Sequence, residues 1–257
     1  MKMLLVLLLL SPAAAFAQSP FDGTWLVNSG TAQLPQKPVV YLLAHGKFRC
    51  SNCMADREIQ ADGRDQKVAE TSYWDTVSVR VVDARTVELI AKKAGRTMFT
   101  ELDTISADGN TLTQVVRDTT EREAVTIETR SRRIENGPAG SHAISGSWRV
   151  YQSSRSRNGS LIRYKCTVDG FSAETPLGER YNAKFDGKDY PVEDDPGNTM
   201  VSVKRISPTS VEVTSKRKGK VVGISHMSVA PGGQSIHVVF ENKEAGTTMT
   251  FDMQKQP

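Results

Sequence analysis

Residues 21–27 read FDGTWLV, and residues 144–150 read ISGSWRV. In both, a Gly stands two positions before a Trp, and the two Trp, Trp25 and Trp148, are 123 positions apart. Working outward from this pair, residues 59–116 lie over residues 183–240 without a gap, at an offset of 124, with 13 identical positions. ADGRDQKV falls on FDGKDYPV, TVELIAKKAGR falls on SVEVTSKRKGK, and the glycine pairs Gly63/Gly187, Gly95/Gly219 and Gly109/Gly233 coincide. Agreement that runs through turn, strand, turn and strand marks a duplicated unit. The sequence therefore divides into repeats 18–137 and 138–257, with a Gly-, Pro- and Ser-containing linker over 134–145.

Each repeat reads as β throughout. Val77, Val79 and Val81 alternate with Ser78 and Arg80, as Val201 and Val203 alternate with Ser202 and Lys204. Period-two alternation with one polar face predicts antiparallel sheet with a single buried face. Turn pairs such as Asp62-Gly63, Ala94-Gly95, Asp186-Gly187 and Lys218-Gly219 punctuate the strands. About eight short strands fit each repeat, and closing them into an up-and-down barrel would bury the apolar face and remove sheet edges. A half-barrel per repeat, with both halves in one larger sheet, satisfies the same pattern.

The chain begins MKMLLVLLLLSPAAAFAQS. A basic start, a short apolar core and Ala15-Phe16-Ala17 predict a signal peptide over 1–17 that is cleaved on export to the periplasm or the exterior. The apolar run is shorter than the ~20 residues of a membrane-spanning helix. The composition is ordinary for a globular protein, with 38% hydrophobic and 24% charged residues and a net charge of +4. Residues 138–257 hold 16 basic and 12 acidic side chains, which is too mild an excess to point to nucleic acid.

Cys50-Ser51-Asn52-Cys53 is the sharpest local motif. Redox work by Cys-x-x-Cys expects a βαβ setting, haem attachment expects His where Met54 stands, and zinc expects further ligands. An oxidising compartment leaves a Cys50–Cys53 disulfide as the expectation, with Cys166 free. The DGRD and DGKD stretches have too few oxygen ligands for a calcium loop and read as hairpin turns. Two basic hairpin tips coincide in the repeats: Lys92, Lys93 and Arg96, then Lys216, Arg217, Lys218 and Lys220. They are solvated tips or, in the alternative, grips for an anionic group. Tyr73 and Trp74 form an aromatic pair that the second repeat lacks, placed either in ordinary packing or at a ligand pocket. Among the sequence motifs there is no catalytic constellation, and no metal or cofactor is expected.

Gly23-Thr24-Trp25 and Gly146-Ser147-Trp148, each opening a run of hairpin-linked strands, resemble the lipocalin or calycin family. The chain is also similar to exported bacterial proteins with two such repeats and a Cys-x-x-Cys in the first, a resemblance that implies no activity. The lipocalin resemblance implies two tandem antiparallel barrels, each Trp plugging a closed end beneath a basic residue of the last strand. Arg130 or Arg132 would fill that role in the first repeat, and Lys255 in the second. The expected function is non-catalytic binding of a small apolar or amphipathic anionic ligand. The alternatives are an envelope protein-interaction module with solid cores and, third, an enzyme.

Overall fold

A computed structural model describes residues 19–51, 58–68, 73–120 and 124–257. The predicted signal peptide and Cys53 lie outside these residues. The protein is all-β, with two antiparallel, nearly closed barrel-like sheets of ten strands each. The first ten strands are β1 (Gly23–Gln33), β2 (Val39–Ala44), β3 (Lys47–Ser51), β4 (Glu58–Gln60), β5 (Gln66–Lys67), β6 (Thr76–Asp83), β7 (Thr86–Lys93), β8 (Arg96–Ile105), β9 (Thr111–Asp118) and β10 (Val125–Asn136). The second ten are β11 (Gly146–Arg155), β12 (Leu161–Cys166), β13 (Gly170–Glu174), β14 (Arg180–Lys184), β15 (Tyr190–Pro191), β16 (Met200–Ser207), β17 (Ser210–Arg217), β18 (Lys220–Val229), β19 (Ser235–Asn242) and β20 (Thr247–Lys255). The arrangement is two barrels in tandem and not one shared sheet.

The sheets share out the strands differently from the repeats. The first barrel runs β4-β3-β2-β11-β10-β9-β8-β7-β6-β5, and the second runs β14-β13-β12-β1-β20-β19-β18-β17-β16-β15. Each Gly-x-Trp strand thus completes the barrel of the other repeat. Gly23 pairs with Tyr164 and Trp25 with Lys255, while Gly146 pairs with Tyr41 and Trp148 with Arg133. The residues around 134–145 form the hairpin between β10 and β11. The exchange is reciprocal, so the single chain has the topology of a strand-swapped pair.

The cores follow the alternation. Val77, Val79, Val87, Leu89 and Trp148 are buried in the first barrel, and Val201, Val203, Val211, Val213 and Trp25 in the second. The two Trp sit in equivalent settings. The Trp25 indole N–H donates to the Phe21 carbonyl at 2.8 Å, and that of Trp148 to the Ile144 carbonyl at 2.8 Å. Over each ring lies a cation: Arg133, 4.0 Å from the Trp148 centroid, and Lys255 Nζ, 5.4 Å from that of Trp25. Lys255 is as the resemblance implies, but the arginine is neither Arg130 nor Arg132. Arg130 bonds Glu128, and Arg132 stacks on Tyr151. Arg133 shares the inward face of β10 with Val125 and Ser131 by simple alternation, whereas Arg130 and Arg132 point outward. Gly23 and Gly146 have φ of 133° and 136°, and at Gly146 a Cβ would lie 2.3 Å from the Glu135 carbonyl oxygen. That conformation and that approach admit glycine alone.

Candidate functional site

The barrels differ inside although their strands match. In the first, Phe99 of β8 faces inward, and Trp74 packs edge-on against it with centroids 5.4 Å apart. The equivalent position in the second repeat is Gly223, paired with Ser215 as Phe99 is paired with Ala91. The Phe240 ring of β19 lies over Gly223, 2.9 Å from where a Cβ would stand, and beside it the mouth of the second barrel opens into a cavity of about 280 Å³. Its walls include Ile162, Tyr164, Val201, Val213, Met227 and Phe240.

The rim is polar and crosses between repeats. Tyr73 closes over the second barrel, where Arg217 Nη2 donates to its hydroxyl at 2.7 Å and the guanidinium lies 4.5 Å from its ring centroid. Arg217 is also held by Glu244 at 3.1 Å and by the Thr199 hydroxyl at 3.2 Å. Gly197, at the position equivalent to Tyr73, lies beneath it: a Cβ there would be 3.0 Å from Tyr73 Cζ. Burial, and then the nearby Asp195, push the Tyr73 hydroxyl pKa up. Asp195 is buried and accepts the Gly197 and Thr199 amides at 2.9 and 2.5 Å. Glu179 faces the same space, and among the described residues its carboxylate accepts one long side-chain bond, 3.5 Å, from the Thr175 hydroxyl. Burial first, and then Asp195, push Glu179 up to about 7.

The two basic tips divide. Lys92 pairs with Asp65 at 2.7 Å, and Lys216 with Asp189 at 2.7 Å. These equivalent pairs give the second Asp of DGRD and DGKD its role. The first Asp, Asp62 or Asp186, accepts the amide two residues on at 3.0 Å, as in an Asx turn. Arg96 donates to the Thr120 carbonyl at 2.6 Å, Lys93 reaches the Pro196 carbonyl of the other repeat, and Lys220 is exposed. Lys218 takes positive φ at its hairpin tip. Of the tip residues, Arg217 alone lines the cavity, and it brings Tyr73 with it. Trp74 instead plugs the first barrel. Cys50 is buried on β3; its expected bond to Cys53 falls outside the described residues. Cys166 is a buried free thiol.

The first barrel carries a different polar group. Gln114 Nε2 lies 2.9 Å from the Tyr41 hydroxyl, 2.8 Å from Glu101 and 3.0 Å from Asp103. Burial raises the pKa of both carboxylic acids, and for Asp103 the Glu101 charge adds to this. The second barrel has Ser225, Met227 and Val238 at these positions. Sequence reading passed over Glu179, Asp195, Gly223 and this acid pair. The signal lay in the columns where the repeats disagree, Phe99 against Gly223 and Glu101 against Ser225.

Among the described residues, no group of three or more His, Cys, Asp or Glu is placed to hold a metal ion, and no helix is long and apolar enough to cross a membrane. The chain matches no protein-family model, no curated protein and no solved structure.

Proposed function

We propose that this is an exported, non-catalytic binding protein of lipocalin-like type, whose second barrel holds a small apolar or amphipathic molecule. The observation that carries the reading is the cavity at the mouth of the second barrel, lined by Gly223 and Ser225 where the first barrel has Phe99 and Glu101. Its volume lies just below the roughly 300–1,000 Å³ of drug-sized ligand sites, which suits a small molecule, and apolar walls with a few polar groups at one end are what such sites use. A barrel of this size either fills with side chains or holds one small ligand. The cavity favours a ligand over an interaction module with two solid cores. Export rests on residues 1–17.

Native mass spectrometry of protein collected from its own compartment tests this, together with uptake of the neutral fluorophore N-phenyl-1-naphthylamine. One retained adduct or one saturable fluorophore site per chain is expected. Ser225→Leu, which fills the cavity wall, should abolish it without unfolding the barrel. A folded wild-type protein with neither adduct nor saturable uptake overturns the reading.

A further inference from the structure

The mouth of the second barrel carries a charge imbalance that bears on which end of a ligand sits there. Glu179, Asp195 and Glu244 line the cavity with Arg217 as the one basic residue beside them. Glu244 pairs with Arg217, and two backbone amides satisfy Asp195. Glu179 has no ion pair among the described residues, and its one side-chain bond is the long contact to Thr175. It is the acceptor at the mouth with capacity to spare. The Tyr73 ring already carries the Arg217 guanidinium, and Phe240 adds an aromatic ring to the wall of the same cavity. An anionic head would meet three carboxylates and an arginine already engaged by Glu244, Thr199 and Tyr73.

Resting on the cavity being a ligand site, we infer that the ligand is a small cationic amphiphile, its apolar body in the second barrel and its ammonium on the Glu179 carboxylate beneath Tyr73. The sign of the head is opposite to the one that the basic tips suggest. Of those tip residues, Lys92, Lys216 and Arg217 pair with Asp65, Asp189 and Glu244, Lys93 and Arg96 donate to backbone carbonyls, and Arg217 alone lines the opening.

Glu179 is influenced by Asp195 and Asp118, which hold its proton on, and by Arg217, which opposes them. Arg155 lies close enough to feel its charge, and Tyr73 shares the rim. Arg180, on the border of the adjoining crevice, is committed to Glu193 and Asp194. With its proton held up to about 7, Glu179 loses its charge as pH falls through neutrality. Ammonium preference should therefore be full at pH 8 and reduced at pH 6.

Isothermal titration of the full mature protein with 1-octanol, octylammonium and octanoate tests both levels. These probes share an eight-carbon chain and differ in head charge. At pH 8, octylammonium should bind about tenfold tighter than 1-octanol, the worth of one charge-assisted hydrogen bond, and octanoate should bind weakest. Glu179→Gln keeps the shape and should bring octylammonium down to the 1-octanol level while leaving 1-octanol unchanged. Binding of 1-octanol without ammonium preference, or with octanoate tightest, overturns the head assignment and leaves the cavity reading standing. Binding of none of the three to folded protein overturns both.

Discussion

Trp25 and Trp148 have almost no exposed surface, and their stabilising effect belongs to the barrel they enter and not to the repeat that encodes them. Truncation of a buried Trp to Ala costs about 3–5 kcal/mol. Trp25→Ala should therefore destabilise residues 161–255, the body of the second barrel, where hydrogen exchange would show the lost protection. Protection lost instead over residues 39–136 would contradict the exchanged strand. The Glu101–Asp103 pair gives a residue-scale pH dependence of known sign. An acid with a higher pKa in the folded than in the unfolded chain keeps its proton longer when folded, so folding is favoured at low pH. Stability falls as pH rises from the ordinary carboxylate range toward the raised folded values of the pair. Asp75, Asp83 and Asp108 are held below that range by hydrogen bonds and act in the opposite sense. The test is a difference: the double variant Glu101→Gln, Asp103→Asn should lose less stability between pH 5 and pH 8 than the wild type. Equal slopes would show that the pair does not titrate in this way.

At the scale of elements, hairpins were legible and the partner of the first strand was not. The tips at Ala94-Gly95 and Lys218-Gly219 have positive φ at both residues, as a two-residue hairpin turn requires. Their lysines fall into register with the aspartates of the preceding turns, 27 positions back. Local geometry alone decides these features, so sequence reveals them. The placing of β1 is a long-range choice. Its pattern fits beside β2 and β10 as well as beside β12 and β20, because β1 and β11 derive from the same ancestral strand. The connections 34–38 and 156–160 carry the chain across to the other barrel in each case. This predicts that a circular permutant will fold. Opening the chain within 34–38, and joining Pro257 to Ser19 through a copy of the β10–β11 loop, would make each barrel contiguous. Gln256 N–H already donates to the Thr24 carbonyl at 2.8 Å, so the ends to be joined lie side by side. A permutant with unchanged melting temperature is the expected result; an unfolded one would mean that the crossing segments are themselves required.

For the molecule as a whole, the two repeats meet through equivalent residues. Tyr73 rests on Gly197, its equivalent, and Lys93 and Arg217, also equivalents, each reach the other repeat. The cavity opens on the second-barrel side of this contact, and on the first-barrel side Trp74 packs against Phe99. Tyr73→Ala would remove the Arg217 hydrogen bond and the stacked cation, together roughly 1–3 kcal/mol. Release of N-phenyl-1-naphthylamine, followed by stopped flow, should accelerate by about tenfold or more. An unchanged rate would mean that Tyr73 does not cover the path. The sequence by itself determined the duplication, the all-β class, the hairpin tips and the Gly-x-Trp plugs. These depend on side-chain period and on φ at single residues, which neighbouring residues specify. Tertiary structure alone decided which barrel each plug closes, and that Tyr73 meets Arg217 across 144 positions beside the cavity of the second barrel. Those outcomes turn on which of two equivalent partners packs where, and two repeats with the same pattern offer both choices until the chain has closed.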